Sequence, residues 1–425
     1  MDILINYIWI IVSIMMFILG IYFSFKLHFI HLNFKAMFKA LQEKTTDKGI
    51  KPWQSLMMAL AGRIGVGSLS GIALAVYIGG PGVLLWIWLT SLFCAPLAFA
   101  ESLLATIYRK KDKDNYTGGP YYYIKEGLKK HKLAFVYASI ILISFTWGFS
   151  TIQINTVSKC INAISGINPL IIGIIISILV ALTIFKGVKK IAETTSKLVP
   201  IMTIFYGTIC LLIIGANINS IPNIIVDIFN SALNFKTFGI GIVATLLIGM
   251  QKGIFSSEVG LGTGSIVAGT SNTNNPTNNA LVQTFGIHIE NLLIATITVL
   301  TICLSNYKEL IIIDANGIEL TLFAFENHLG FLGPLFISIT IALFALASLI
   351  TSYYYGESAL KFMKNHHKAD LITLKIITII FIVIGSIASS NLLWTVVDIM
   401  VGIMAIINIY ALFKLRKIVF GKVSM

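Results

Sequence analysis

Charge is the scarcest resource of this chain. Asp, Glu, Lys and Arg make up only 12% of 425 residues, and 56% are hydrophobic. A soluble protein of this length needs far more polar surface to cover its core, so that class is excluded. The mean hydropathy of +0.88 agrees. Cysteine is also rare: Cys94, Cys160, Cys210 and Cys303 have no metal or redox spacing and read as small buried hydrophobes. Neither a Cys/His cluster, a phosphate loop nor a nucleophile elbow occurs, which argues against an enzyme, and no soluble domain of any size is expected.

What the chain has instead is long apolar runs, about 20 residues being what a bilayer core of roughly 30 Å requires. Eleven spans are expected near 3–25, 53–78, 82–108, 133–157, 168–185, 196–216, 238–268, 279–304, 331–357, 371–388 and 391–413. The first run follows Asp2 rather than a basic segment and lacks a small-residue cleavage site, so it reads as a retained span and not a signal peptide.

The net charge of +13 is sorted by loop rather than spread for nucleic acid. The loops after spans one, three, five and nine are basic, with Lys44, Lys48, Lys113 and Lys361 among their residues, as is the end of the chain. The intervening loops hold only Lys159, Lys236 and Lys308, and the 305–330 loop is acidic through Glu309, Asp314, Glu319 and Glu326. The positive-inside rule then puts the N-terminus outside and the C-terminus in the cytoplasm. Segments 30–50, 120–130 and 221–235 read as loop helices, the first lying on the inner membrane surface.

Two spans carry near-identical interruptions, Gly65-Val66-Gly67-Ser68 and Gly262-Thr263-Gly264-Ser265. Alternating glycines strip the side chains that shield backbone, so both helices should unwind at membrane depth. Spans two to six and seven to eleven form two sets of five with opposite topology, each led by its broken helix, which is the pattern of an inverted repeat. Freed N–H groups and carbonyls at the breaks suit a carboxylate and a cation together, hence a zwitterion. Arg63, Glu258 and Glu290 are charges within or beside these elements and stand out as coupling or gating residues. Arg63 either borders a cation position or caps break carbonyls from an aqueous vestibule. Glu258 either titrates or is held by N–H groups of its break.

The segments Ala61–Gly67, Gly79-Gly80-Pro81-Gly82, Gly118-Gly119-Pro120, Lys252–Gly262, Tyr354-Tyr355-Gly356-Glu357 and Met404-Ala405 with Asn408, taken in order over most of the chain, resemble the alanine or glycine:cation symporter family of the leucine-transporter (LeuT) fold superfamily. The resemblance implies an all-α integral membrane protein of about 11 transmembrane helices, one N-terminal helix plus a 5+5 core. The corresponding regions are 1–51, 52–220 and 221–425. It implies uptake of alanine or glycine by cation symport, usually with sodium, across the cell membrane, with no other cofactor and no nucleic-acid partner. Substrate contacts would be Gly65, Val66, Gly67, Ser68, Gln153, Asn155, Phe255, Ser256, Ser257, Gly260, Gly262 and Trp394. A sodium ion would sit among Ala61, Ile64, Phe344, Ala347 and Ser348. The family usually has Asn at positions 68 and 257, Asp at 290 and a Ser-Thr pair at 347–348, so this chain offers the ion one hydroxyl fewer. A proton-coupled or sodium-independent carrier and a non-transporting membrane sensor are the alternatives.

Overall fold

The computed structural model describes residues 2–43, 49–112, 115–233, 241–305, 317–364, 368–388 and 391–423. Lys44, Lys48, Lys113, Lys236, Lys308, Glu309 and Asp314, together with the first residues of span seven, lie outside them.

An N-terminal helix α1 (Asp2–Lys26) leads through a short amphipathic α2 (Phe34–Leu41) to the first broken span, α3 (Pro52–Arg63) and α4 (Ile72–Gly79). There follow α5 (Val83–Ile107), a hairpin of β1 (Lys110–Asp112) and β2 (Asn115–Thr117), and the loop helix α6 (Pro120–Glu126). α7 (His131–Ile143) and α8 (Ser150–Ser165) run on as one rod, and α9 (Pro169–Ile184), α10 (Val188–Ala216) and the loop helix α11 (Ile221–Ala232) complete this half. The second broken span is α12 (Gly241–Ser257) and α13 (Thr263–Ala268). It is followed by α14 (Pro276–His288) with α15 (Ala295–Cys303), then α16 (Gly317–Leu329), α17 (Leu332–Met363), α18 (Lys368–Gly385) and α19 (Asn391–Val423).

The described residues of the expected spans are mainly helical, broken at 64–65 and 258–262, but not every span meets the length and apolarity of a membrane crossing. Among the described residues, seven helices are long and apolar enough to cross a membrane, or eight when the bent pair α3–α4 counts as one. α9 is too short for that measure at 16 residues, and α18 carries Lys368, Asp370 and Lys375 in its 18. The spans sort into centre and rim by what their surfaces can tolerate. α17 is 72% buried over its most apolar window and α10 only 28%. Accordingly α10 presents Ile201, Ile204, Leu211 and Leu212 outward, as a lipid-facing helix must, while α17 turns Ser348, Thr351 and Ser358 inward.

α2 is less peripheral than a helix resting on the membrane surface. Met37 is fully buried, Phe34 packs on His288 and Phe38 on Phe285 (ring centroids 5.2 and 4.9 Å), so α2 is strapped to α14. His288 is a satisfied interface histidine, its ring nitrogens 3.0 Å from Ser91 Oγ and 2.7 Å from the His31 carbonyl. Among the described residues, π-helical turns occur at Gly67–Gly71, directly after the first break, and at Ser144–Phe149 and Ile289–Ile294 within other spans. Such turns recur at functional sites because they re-aim side chains without ending a helix.

Candidate functional site

The first break begins where α3 loses its ladder. Ile64 still donates to Leu60 (2.7 Å), but its ψ of 80° turns the chain away, and Gly65 N–H reaches back only to the Arg63 carbonyl (3.0 Å). Ser68 N–H then bonds to Gly65 instead of Ile64, which releases the Ile64 carbonyl. The halves meet at 54°. Gln153 of α8 accepts from Val66 N–H (3.1 Å). Gly65 is closely approached, since a Cβ there would lie 2.5 Å from Ser348 Oγ and 2.7 Å from Gln153 Nε2 and would displace both side chains.

At the second break Glu258 adopts a left-handed φ of 54°, uncommon for a residue with a side chain, followed by Gly260 (71°) and Gly262 (86°). The backbone groups freed here are taken by buried side chains. Glu101 of α5 accepts from Gly262 N–H (3.0 Å) and from Asn408 Nδ2 (2.9 Å). Asn408 also donates to the Gly260 carbonyl (2.9 Å) and accepts from Tyr123, and Tyr137 donates to the Leu261 carbonyl. Glu258 accepts from two hydroxyls, Thr263 (2.8 Å) and Tyr355 (3.0 Å). The carboxylate that holds the break's N–H is thus Glu101, not Glu258.

Between the breaks lies a cavity of about 20 Å³, bordered by Gly62, Arg63, Gly65, Val66, Gly67, Phe149, Ile152, Gln153, Phe255, Ser256, Glu258 and Trp394. It is closed on one side by Phe255 and Trp394, 6.2 Å apart between ring centroids. Beyond Trp394 are two larger chambers, of about 580 and 260 Å³, which share Leu74, Lys252, Trp394 and Asp398. On the opposite side Arg109 ties the loop after α13, donating to the carbonyls of Ser271 (2.6 Å) and Thr273 (2.8 Å), while Gly118 and Gly269 meet backbone to backbone. Burial lowers the Arg109 guanidinium below its usual range, an effect countered by Tyr116, whose ring it covers at 3.9 Å.

The family model described as the sodium:alanine symporter family matches residues 1–425. The chain belongs to that family. Among its relatives, the amino-acid carrier protein AlsT of Bacillus subtilis is 32% identical over 98% of this chain and 89% of its own. The probable sodium/glutamine symporter GlnT of the same species is 34% identical over 94% and 84%. The sodium/alanine symporter AgcS of Methanococcus maripaludis is 32% identical over 94% and 90%. A solved Na⁺-coupled sialic acid symporter in its outward-open state, 14% identical, superposes with a TM-score of 0.56 over 96% of this chain and 87% of that one, which shows the shared LeuT-type fold. This sodium:alanine symporter family member is a multi-pass membrane transporter and not an enzyme.

Seven of the residues expected at the symporter's substrate site, Gly65, Val66, Gly67, Gln153, Phe255, Ser256 and Trp394, border the one cavity. Five do not. Ser68 turns to Glu290. Asn155 lines the smaller outer chamber and donates to the carbonyls of Gly385 (3.2 Å) and Ala388 (2.6 Å) at the end of α18. Ser257 bonds within its own helix to Gly253 (2.6 Å), and Gly260 and Gly262 are clamped by Asn408 and Glu101 as described.

Arg63 is 2% exposed, so it does not sit in an aqueous vestibule. Nη1 donates to the Gln283 carbonyl (3.2 Å), whereas Nε and Nη2 are buried without a partner. No carboxylate forms an ion pair with it among the described residues. Gly264 and Gly286 leave the space its guanidinium fills.

The residues expected to hold sodium also gather. Ser348 Oγ lies 2.8 Å from the Ala61 carbonyl, beside Gly65, with the released Ile64 carbonyl in the same break. Carbonyls plus a hydroxyl are the donors a small hard cation prefers, so the set fits. Phe344, one turn earlier on α17, and Ala347, the residue just before Ser348, are fully buried, and Ala347 has no side-chain oxygen to offer.

Glu101, Phe149, Ile152 and Tyr355 entered the site without having been assigned a role from sequence. Glu101 had a signal, being the lone acid in a 25-residue apolar helix. Tyr355 stood in the Tyr354–Glu357 motif without a role of its own, and Phe149 and Ile152 had no signal, because aromatic and branched residues in a span are ordinarily packing.

Proposed function

We propose that this chain takes up a small neutral amino acid, alanine or glycine, by symport with sodium. The observation that carries this reading is the small cavity between two unwound segments, polar along Gly65–Gly67, Gln153 and Ser256 and apolar at Phe255 and Trp394. Substrate contacts are those seven residues; Ser68, Asn155, Ser257, Gly260 and Gly262 support them from outside the cavity. Sodium is held by the carbonyls of Ala61, Ile64 and Phe344 and the hydroxyl of Ser348. The ion draws α3 and α17 together beside Gly65, so its binding favours the form that holds substrate, and linkage makes the reverse true as well.

The protein resides in the cell membrane with its N-terminus outside and C-terminus in the cytoplasm. It is built from 1–51, 52–220 and 221–425 as a leading helix and two inverted five-helix repeats, eleven crossings in all. The chambers beyond Trp394 then open outward, and the Arg109 side is the closed cytoplasmic face. Uptake of labelled alanine into proteoliposomes should require an inward sodium gradient; uptake undiminished when choline replaces sodium would refute the coupling.

A further inference from the structure

The cavity is too small for any amino acid as it stands, since about 20 Å³ is space for a single water. Some wall must move to admit even glycine, and the walls differ in what lies behind them. Trp394 has the two outer chambers at its back, so it has room to swing. Phe149 has none. Its ring is parallel to that of Phe145 (4.5 Å, 1°) on one side and stacked on Phe255 (5.5 Å, 23°) on the other. Phe145 is itself 1% exposed and meets Tyr355 edge-on (5.0 Å, 86°), and Tyr355 is pinned through its hydroxyl to Glu258. The π turn Ser144–Phe149 carries both stacked rings, so helix α7–α8 itself presents this wall to the cavity.

We infer that Phe149 is the specificity-determining residue of this site: the stack Phe145–Phe149–Phe255 is the fixed wall that limits the solute's side chain to hydrogen or methyl, while Trp394 is the wall that yields on entry. The inference rests on the amino-acid reading above and adds the size limit to it. A close-packed interior transmits rather than absorbs an added methylene, and each one in an apolar pocket is worth about 10- to 200-fold in discrimination.

The test is competition against labelled alanine, in sodium, by glycine, valine, leucine and glutamine, using the full-length protein and its Phe149→Ala variant in proteoliposomes. The native protein should be inhibited by glycine and scarcely by leucine or glutamine. In Phe149→Ala, leucine or glutamine should gain at least about tenfold in apparent affinity while alanine, left in an underfilled site, loses. Phe149→Leu and Phe145→Leu, which keep the interior better filled, should move the same way by less, so a misfolded alanine variant does not decide the matter. An unchanged size order in folded variants that still take up alanine overturns the assignment alone. Failure of the native protein to take up either alanine or glycine overturns the amino-acid reading with it.

Discussion

Ser68 Oγ lies 2.6 Å from Glu290 Oε1 and 3.0 Å from the Arg63 carbonyl, joining the first broken helix to the π turn after α14. One hydroxyl has one proton and cannot serve both acceptors, while Glu290 Oε2 is buried with no partner. A donor at position 290 resolves the conflict, because it can bond to Ser68 Oγ and leave the hydroxyl proton for Arg63. Glu290→Gln should therefore fold and retain most uptake, whereas Glu290→Leu should lose about 1–3 kcal/mol of stability. Thermal unfolding in detergent separates the two; equal stability of the variants would contradict this account.

Ser348 is the one side-chain oxygen in the proposed sodium site. Ser348→Ala should raise the sodium concentration for half-maximal uptake by about tenfold or more, with the alanine KM at saturating sodium little changed. Ala347→Ser adds the missing hydroxyl and should shift the sodium requirement downward. Sodium titrations of initial uptake rates read both effects.

Gly262 combines a φ of 86° with Pro120, Tyr137 and Asn408 occupying the space a Cβ would need. Gly262→Ala should cost about 1–3 kcal/mol from backbone strain alone, before the crowding is counted. Gly215, within α10, where an added Cβ would meet open space, is the control: Gly215→Ala should be neutral or stabilising by up to about 1 kcal/mol. By thermal unfolding, Gly262→Ala should melt below the parent and Gly215→Ala at or above it.

His31 follows α1, where burial first and His288 second push its pKa down to about 4. The unfolded chain binds that proton near pH 6.5 and the folded one does not, so the neutral ring contributes stability above pH 6.5 that is lost as pH falls toward 4. The slope is at most about 1.4 kcal/mol per pH unit for one proton. His31→Gln should flatten the pH dependence of melting over this window, and a profile identical to the parent's would count against it.

The broken helices were legible because their chemistry is local. Gly65 and Gly262 fall within the unwound stretches, but Gly67 opens a π turn and Thr263, Gly264 and Ser265 are helical in α13, so the second glycine element marks the end of its break rather than the break itself. Charge sorted among loops needs no partner to be read. The same locality misled at Glu258 and Arg63. Proximity in sequence made Glu258 the natural owner of its break's N–H groups, yet Glu101, 161 residues away, holds Gly262. Arg63 stands beside a break, but its guanidinium reaches Gln283 through space cleared by two glycines of other helices.

By itself the sequence determined that this is a membrane bundle with two helices interrupted at matching places, since apolarity and backbone shielding are properties of short stretches. Which freed groups remain open to a solute was decided only in three dimensions. That depends on which distant side chains arrive first: Asn408, Tyr137 and Glu101 take the Gly260 and Leu261 carbonyls and the Gly262 N–H of the second break, while Phe149 and Trp394 leave a small space beside the first.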